Sequence, residues 1–394
     1  MSAFAMMFFQ DPSLLQFQKR LQDVIQKNNL STLFGVSNIP GDTQLRDTID
    51  ACDPTQIETL FSDYFGLLQR GKQLESFRVM DDYYLIPIDG TQYFSSEKIH
   101  CPQCLYKKSS KGQLRYHHQI LQGAIVCPGK RQVIPLAPEP VQNSDGHEKQ
   151  DCEINAGKRM LKKIRHAHPK LRIVIGGDSL FSKQPFIAEL KIHRMSFILG
   201  AKPADHKNLF EWVQELRQMG ETESLTFTDL KNRVHHYEWV NEVPINAKPD
   251  SDLVSFFQYH LMVDGKITYR NSWVTDFEVT AENVVELVKA GRARWKIENE
   301  TFNTLKNQGY HIEHNYGHGK QNLSYNFFLL NLLAFFFHQI FELSDRLYQT
   351  CRAEKFTSRR EFWNQLRCTI RILVFDHWEQ ILWLILDPEN NRPP

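Results

Sequence analysis

The chain carries almost no net charge: 47 Lys and Arg stand against 46 Asp and Glu, a formal balance of +1. The total gives no electrostatic argument for a nucleic-acid or membrane partner, so the distribution of charge has to be examined instead. Cysteine is sparse and odd in number, seven scattered over 394 residues, which argues against a disulfide framework. Long apolar runs are also lacking. The best candidate, Phe327 to Leu343 (FFLLNLLAFFFHQIFEL), is short of the roughly 20 residues a membrane span needs. Asn331, His338, Gln339 and Glu342 interrupt it, so it reads as a core or dimer helix. The N-terminus has neither the basic leader nor the small-residue cleavage site of a secretory signal, and internal repeats are absent. These absences predict a soluble, cytoplasmic chain with no membrane partner, long enough for two or three domains.

Apolar residues at 41% and charged residues at 24% are ordinary for a globular protein. Charge is nevertheless segregated. Lys158 to Arg172 (KRMLKKIRHAHPKLR) holds seven Lys or Arg and no acid, whereas acids concentrate between Glu211 and Glu286. A phosphate-facing side and a solvated helix face explain such a run equally well.

Apolar spacing divides the chain. Residues 1–80 predict a small helical domain, with Leu14, Leu15, Phe17, Leu21 and Ile25 at helical spacing and Ile57, Leu60, Phe61, Phe65 and Leu68 again. Residues 81–200 predict strands and helices: YYLIPID, a turn at Gly90-Thr91, extended runs from Gln92 to Ile99 and Tyr116 to Val126, a basic helix from Cys152 to His168, and a strand ending at Gly176-Gly177-Asp178. Residues 201–280 predict a β-rich insertion from alternation in Val234 to Val240, Ser255 to Val263 and Ile267 to Thr275. Residues 281–320 begin with a helix near Thr280 to Asn283, followed by a second from about Arg292 to Lys306. Residues 321–394 are helical.

Three acids stand where such a fold would gather them. Asp89 ends the first apolar strand, Asp178 ends a later one after a helical crossover, and Glu298 lies on a helix beyond the insertion. Ligands collect at strand ends in α/β sheets. Two aspartates and a glutamate offer hard oxygen donors suited to Mg²⁺ or Mn²⁺. Two such ions about 3.5–4 Å apart would serve an in-line phosphoryl displacement. Singly, an Asp before Gly is usually a turn former and a helical Glu is usually solvated; the three together carry the signal.

The stretches IDGTQYFSS, GGDSLFS and RARWKIENETFNTLK resemble the three motif regions of bacterial insertion-sequence transposases of the DDE, RNase H-like superfamily. More narrowly they resemble the branch with a Tyr-Arg-Glu-Lys third motif and a β-rich insertion. The resemblance covers roughly Tyr83 to Lys320. It implies an α/β, RNase H-like mixed-sheet core with a β-rich insertion, flanked by helical N- and C-terminal regions. Its implied activity is metal-dependent cleavage at transposon ends and strand transfer into target DNA. Asp89, Asp178 and Glu298 would be the catalytic, metal-binding acids for two Mg²⁺ or Mn²⁺ ions. Arg294 would orient the carboxylate or contact phosphate, and Lys306 would contact the DNA backbone. Two departures from the pattern stand out: Gly291 occupies the Tyr position, and Lys306 falls one position late. The implied partners are double-stranded DNA, as terminal inverted repeats and as target, and a second copy in a synaptic homodimer, with the chain nucleoid-associated when bound. A nuclease without strand transfer and an inactive transposase-derived DNA-binding protein are the rivals.

Helical geometry chooses between Glu298 and its neighbour Glu300. Glu298 shares a face with Arg294, Trp295, Phe302 and Leu305, while Glu300 is turned about 200° away. Lys158, Arg159, Lys162 and Lys163 on the basic helix are candidate phosphate contacts with salt-sensitive binding. Cys101-x-x-Cys104 with His117, His118 and Cys127 suggests a zinc knuckle. The later ligands lack standard spacing, however, and His117 and His118 would face opposite ways on a strand. Buried thiols are the expectation there rather than structural zinc. His311, His314 and His318 in GYHIEHNYGHGK read as a polar loop near DNA or a structural turn, and Trp273 and Trp295 as core residues.

Overall fold

Both inward and outward positions of Tyr84–Ile88 are apolar, because this stretch runs through the middle of a sheet covered on both faces. The computed structural model describes every residue except 12, 16, 18–27, 39, 144–149 and 390–394. The predicted helical positions Leu21 and Ile25 lie outside the described residues. The long central strand is β2 (Tyr83–Ser96), preceded by the short β1 (Arg78–Val79). It pairs antiparallel with β4 (Leu114–Ile125) and parallel with β7 (Ile173–Gly177). Gly90 and Thr91 are not a turn: they pair with Leu121 and Ile120, and the strand continues to Ser96 through a register shift between Gln92 and Phe94.

β3 (Leu105–Lys108) borders β4 on one side, and the short β5 (Ile134–Pro135) and β6 (Glu139–Val141) pair with β4 farther along. On the other side β7 pairs parallel with β8 (Ser196–Gly200). The crossovers from β6 to β7 and from β7 to β8 run through two helices, Glu153–Ala167 and Gln184–Ile192. The segment expected as a separate β-rich unit continues the same sheet. β9 (Glu223–Thr228), β10 (Val234–Pro244), β11 (Leu253–Val263) and β12 (Lys266–Thr275) form an antiparallel ribbon, joined to β8 by pairing of Trp273, Val274 and Thr275 with Gly200, Leu199 and Ile198. The result among the described residues is a mixed α/β molecule built on one 12-stranded sheet, in the order β3-β4-β2-β7-β8-β12-β11-β10-β9. A helix, Lys207–Met219, and β9 were not foreseen.

In chain order the helices are α1 (Ser2–Phe8), α2 (Asn29–Phe34), α3 (Asp42–Ala51), α4 (Pro54–Arg70), α5 (Glu153–Ala167), α6 (Gln184–Ile192), α7 (Lys207–Met219), α8 (Val284–Arg292), α9 (Asn303–Asn307), α10 (Leu323–Ser344), α11 (Arg346–Lys355), α12 (Arg359–Ile372) and α13 (Trp378–Leu386). The N- and C-terminal helices pack on one another. Phe8 of α1 meets Trp363 of α12 and Trp378 of α13 at 5.5 and 5.6 Å between ring centres. Around them runs α10, the apolar stretch, with 67% of its most apolar window buried inside the molecule. Its polar side chains each have a partner: Asn326 donates to the carbonyls of Ile49 and Cys52, Asn331 to that of Tyr310, and His338 bonds the Tyr310 hydroxyl, while Asn326 Oδ1, Asn331 Oδ1 and His338 Nε2 are buried without one. Such a helix is the core of the helical body, since buried amides and imidazoles need partners of this kind.

Candidate active site

The parallel pairing of β2 with β7 aligns Pro87 with Gly176. β7 ends at Gly177, so Asp178 directly follows the strand that pairs with the one carrying Asp89. Asp178 lies just past the end of β7, where its carboxylate accepts from the Leu180 backbone N–H at 2.9 Å. It thus also fulfils the turn-forming role of its type. Asp89 is partly buried within β2, and accepts from the N–H of Gly90 at 2.9 Å.

Over Asp89 lies the turn that carries Arg294 and Glu298. The expected regular helix from Arg292 to Lys306 is not formed. After α8 the backbone tightens, with Lys296 bonding Ala293 and Ile297 bonding Arg294, and it then widens into a π-helix over Ile297–Phe302. Turns of this kind recur at functional sites. Gly291 explains part of the approach: a Cβ there would lie 2.7 Å from the Trp273 indole, so no tyrosine fits while that ring holds its place. Arg294 donates to Asp89 at 3.3 Å and to Glu298 at 3.1 Å, spanning the two carboxylates. Burial pushes the Asp89 carboxyl up to about 7; the Arg294 charge opposes the rise, and Glu298 adds to it.

The widened turn changes which residues face inward. Ile297, Thr301 and Phe302 are buried, whereas Trp295 is 47% exposed and so is not the core residue expected from regular helical phase. The Arg294 guanidinium lies 4.9 Å from the centre of its ring. Trp273 is buried as expected.

Glu153, at the start of α5, is a fourth acid that sequence reasoning missed. A Cβ on Gly90 would collide with its carboxylate at 2.3 Å, so glycine at 90 lets the helix start press against β2, on the face opposite the one to which Asp89 points. Gln119 donates to it. Burial raises the Glu153 carboxyl, and the charge of Asp178 raises it further. The acids that influence one another are Asp89 with Glu298, and Asp178 with Glu153. A Gly in a strand followed by Glu at a helix start was the only sequence signal, and it is a faint one.

The other candidates separate. Arg159 is bound to Glu139 and Asp151, both at 2.7 Å, and Lys163 to Glu58 at 3.2 Å and Glu139 at 2.7 Å. These two side chains fasten α5 to β6 and α4. Among the described residues Lys158 and Lys162 have no ion-pair partner, and Lys162 is exposed. Lys306 is paired with Glu313 at 2.8 Å. His117 and His118 do face opposite ways, since they alternate on β4 opposite Ser95 and Phe94. Cys127 lines a separate cleft with Arg78 and Glu286. His311 and His314 stand apart from the Cys101–Cys104 turn, but His318 does not: it joins Cys101, Cys104 and His118.

Compared with protein-family models and with curated proteins, the chain matches none.

Proposed function

We propose that this chain is a DNA transposase of the DDE type, which cuts at the ends of its element and joins the freed ends to target DNA. The observation that carries this reading is the turn bearing Arg294 and Glu298 over Asp89, with Asp178 just past the end of the adjacent parallel strand. The order of elements supports an RNase H-like core: an acid on the first strand of a meander, β2-β4-β6, a helical crossover, then an acid after the next parallel strand. An insertion then precedes the glutamate turn, as the resemblance implies.

The donor set fits divalent metal. Arg294 stands between the carboxylates of Asp89 and Glu298, and burial pushes Asp89 up to about 7. Asp89, Asp178 and Glu298 are the residues that would hold Mg²⁺ or Mn²⁺. When bound, a pair of such ions activates an attacking oxygen and stabilises a leaving one.

The chain's own residues supply positioning, which is most of what phosphoryl transfer asks of a protein. Arg294 holds Asp89 and Glu298 in a fixed relation and presents positive charge where phosphate would lie. Trp295, exposed beside it, offers a face on which an unpaired base at a cut end would stack. Lys158 and Lys162 are the remaining candidates on α5 for contact with the duplex backbone. Synapsis of two element ends calls for a homodimer.

The test uses a plasmid carrying the DNA that flanks the reading frame, the purified chain, and Mg²⁺ or Mn²⁺. Cleavage at inverted repeats followed by joining to target DNA is expected, and both should vanish in Asp89→Asn. Cleavage without joining would instead identify a nuclease. DNA binding with cellular function intact in Asp89→Asn would identify a non-catalytic binding protein.

A further inference from the structure

Away from the carboxylates, residues from two unrelated sequence motifs meet. Cys101 and Cys104 lie in the turn between β2 and β3, His118 is on β4, and His318 is in the loop leading into α10. The two sulfurs are 3.8 Å apart. His118 Nε2 lies 3.6 Å from Cys101 Sγ and 3.3 Å from Cys104 Sγ. His318 Nε2 lies 3.6 Å from Cys104 Sγ and 3.1 Å from His118 Nε2. All four atoms fall within 4.8 Å of one another.

These separations can be compared with a tetrahedron sized for zinc. With Zn–S of about 2.3 Å and Zn–N of about 2.0–2.1 Å, its edges are about 3.8 Å between sulfurs, about 3.6 Å from sulfur to nitrogen and about 3.3 Å between nitrogens. The observed edges are close to each. We propose that Cys101, Cys104, His118 and His318 bind one structural zinc ion, which ties the β2–β4 region of the sheet to the loop before α10.

Three further features fit this assignment. The His318 Nδ1 is 3.0 Å from the carbonyl of Gly319, the backbone acceptor that fixes a ligating histidine with Nε2 toward the metal. The Cys101 N–H points to Cys104 Sγ at 3.4 Å, so the CxxC turn directs a backbone donor at a sulfur that carries charge as a thiolate. The set is also closed: Cys104 and His118 are buried, Cys101 and His318 half-buried, and four protein ligands leave no open position. Closure marks a structural rather than a catalytic site. Sulfur and imidazole select zinc over the hard Mg²⁺ or Mn²⁺ suited to the carboxylates.

The loop is anchored independently of any metal. Asp50 of α3 accepts from the backbone N–H groups of Lys320, Gln321, Asn322 and Leu323 at 2.8–3.0 Å, so His318 is held near the sheet by its own surroundings. Since 214 residues separate Cys104 from His318, a metal joining them closes a very long loop. Metal binding is then coupled to folding, and zinc should raise the thermal midpoint markedly.

The experiment is metal analysis of the full chain, purified without chelator and dialysed against Mg²⁺. About one zinc per chain is expected, retained through dialysis, together with loss of the metal in Cys104→Ser and its retention in Cys127→Ser. If Cys104→Ser does not fold, cobalt exchange into the wild-type chain decides. The intense visible bands and thiolate charge-transfer band of a tetrahedral two-sulfur, two-nitrogen site would support the proposal. Less than a tenth of a zinc per chain with no such bands would overturn it, as would iron or copper in place of zinc. None of these readouts depends on DNA cleavage.

Discussion

An acid held protonated up to about pH 7 makes folding sensitive to pH. In the unfolded chain Asp89 would titrate near the usual aspartate value of about 3.9. In the folded chain burial, and then the neighbouring Glu298 against the opposing Arg294, raise it to about 7. The folded state therefore holds this proton more tightly. The group's contribution is most favourable below about pH 4 and is lost as pH rises toward 7. Without added Mg²⁺ or Mn²⁺, Asp89→Asn should be more stable than wild type at pH 7.5, on the order of 2 kcal/mol, with little difference at pH 4. Urea unfolding at the two pH values checks this, and equal differences at both would contradict it. The choice between Glu298 and Glu300 is also settled residue by residue. Glu298→Gln should lower DNA joining on the order of 10³-fold, and Glu300→Gln by less than about tenfold. The helical face identified Glu298 by its spacing from Arg294, and the two are indeed bonded at 3.1 Å. The same wheel misplaced Trp295, because a π-turn does not keep the 3.6-residue period on which the wheel rests.

Helix α5 shows how a basic run in sequence divides once its neighbours are known. Four of its cations were candidate phosphate contacts. Two of them, Arg159 and Lys163, neutralise Glu139, Asp151 and Glu58, and those acids come from other parts of the chain. No reading of the run alone could find such partners. Arg159→Ala should cost about 1–3 kcal/mol of stability, since it strips charge from the nearly buried Glu139 and Asp151. Lys158→Ala and Lys162→Ala should leave the unfolding midpoint unchanged, weaken DNA binding, and reduce the dependence of log affinity on log salt by about 1 each. Denaturant unfolding together with binding titrations at several salt concentrations separates the two classes. A loss of salt dependence in Arg159→Ala without destabilisation would reverse the assignment. Other elements were legible to differing degrees. Strands β10, β11 and β12 of the ribbon were found within a few residues from alternation, whereas β9, mostly exposed, was not. Helix α7 was missed: it buries only Leu209 and Val213, too little apolar surface to reveal a period among so many charges.

At the scale of the whole molecule, one sheet carries both proposed metal sites, and chain separation decides which of them sequence reveals. Asp89, Asp178 and Glu298, the proposed ligands, each sit in a local stretch that resembles a known motif. The Cys/His set is divided between a turn and a loop far apart in the chain, and each half was reasonably discounted by itself. Register made the difference in both cases. It sets the strand of Asp89 beside the one that ends just before Asp178, and it turns His118 rather than His117 toward the cysteines. The central claim is that residues 89, 178 and 298 share a pair of divalent ions. Its most direct test is electron paramagnetic resonance of Mn²⁺ titrated into the zinc-loaded chain with a duplex of its flanking DNA present. The expected result is two magnetically coupled Mn²⁺ ions per chain, with coupling lost in Asp89→Asn, Asp178→Asn and Glu298→Gln alike. Mn²⁺ binding that is absent, or unchanged in all three variants, would contradict it.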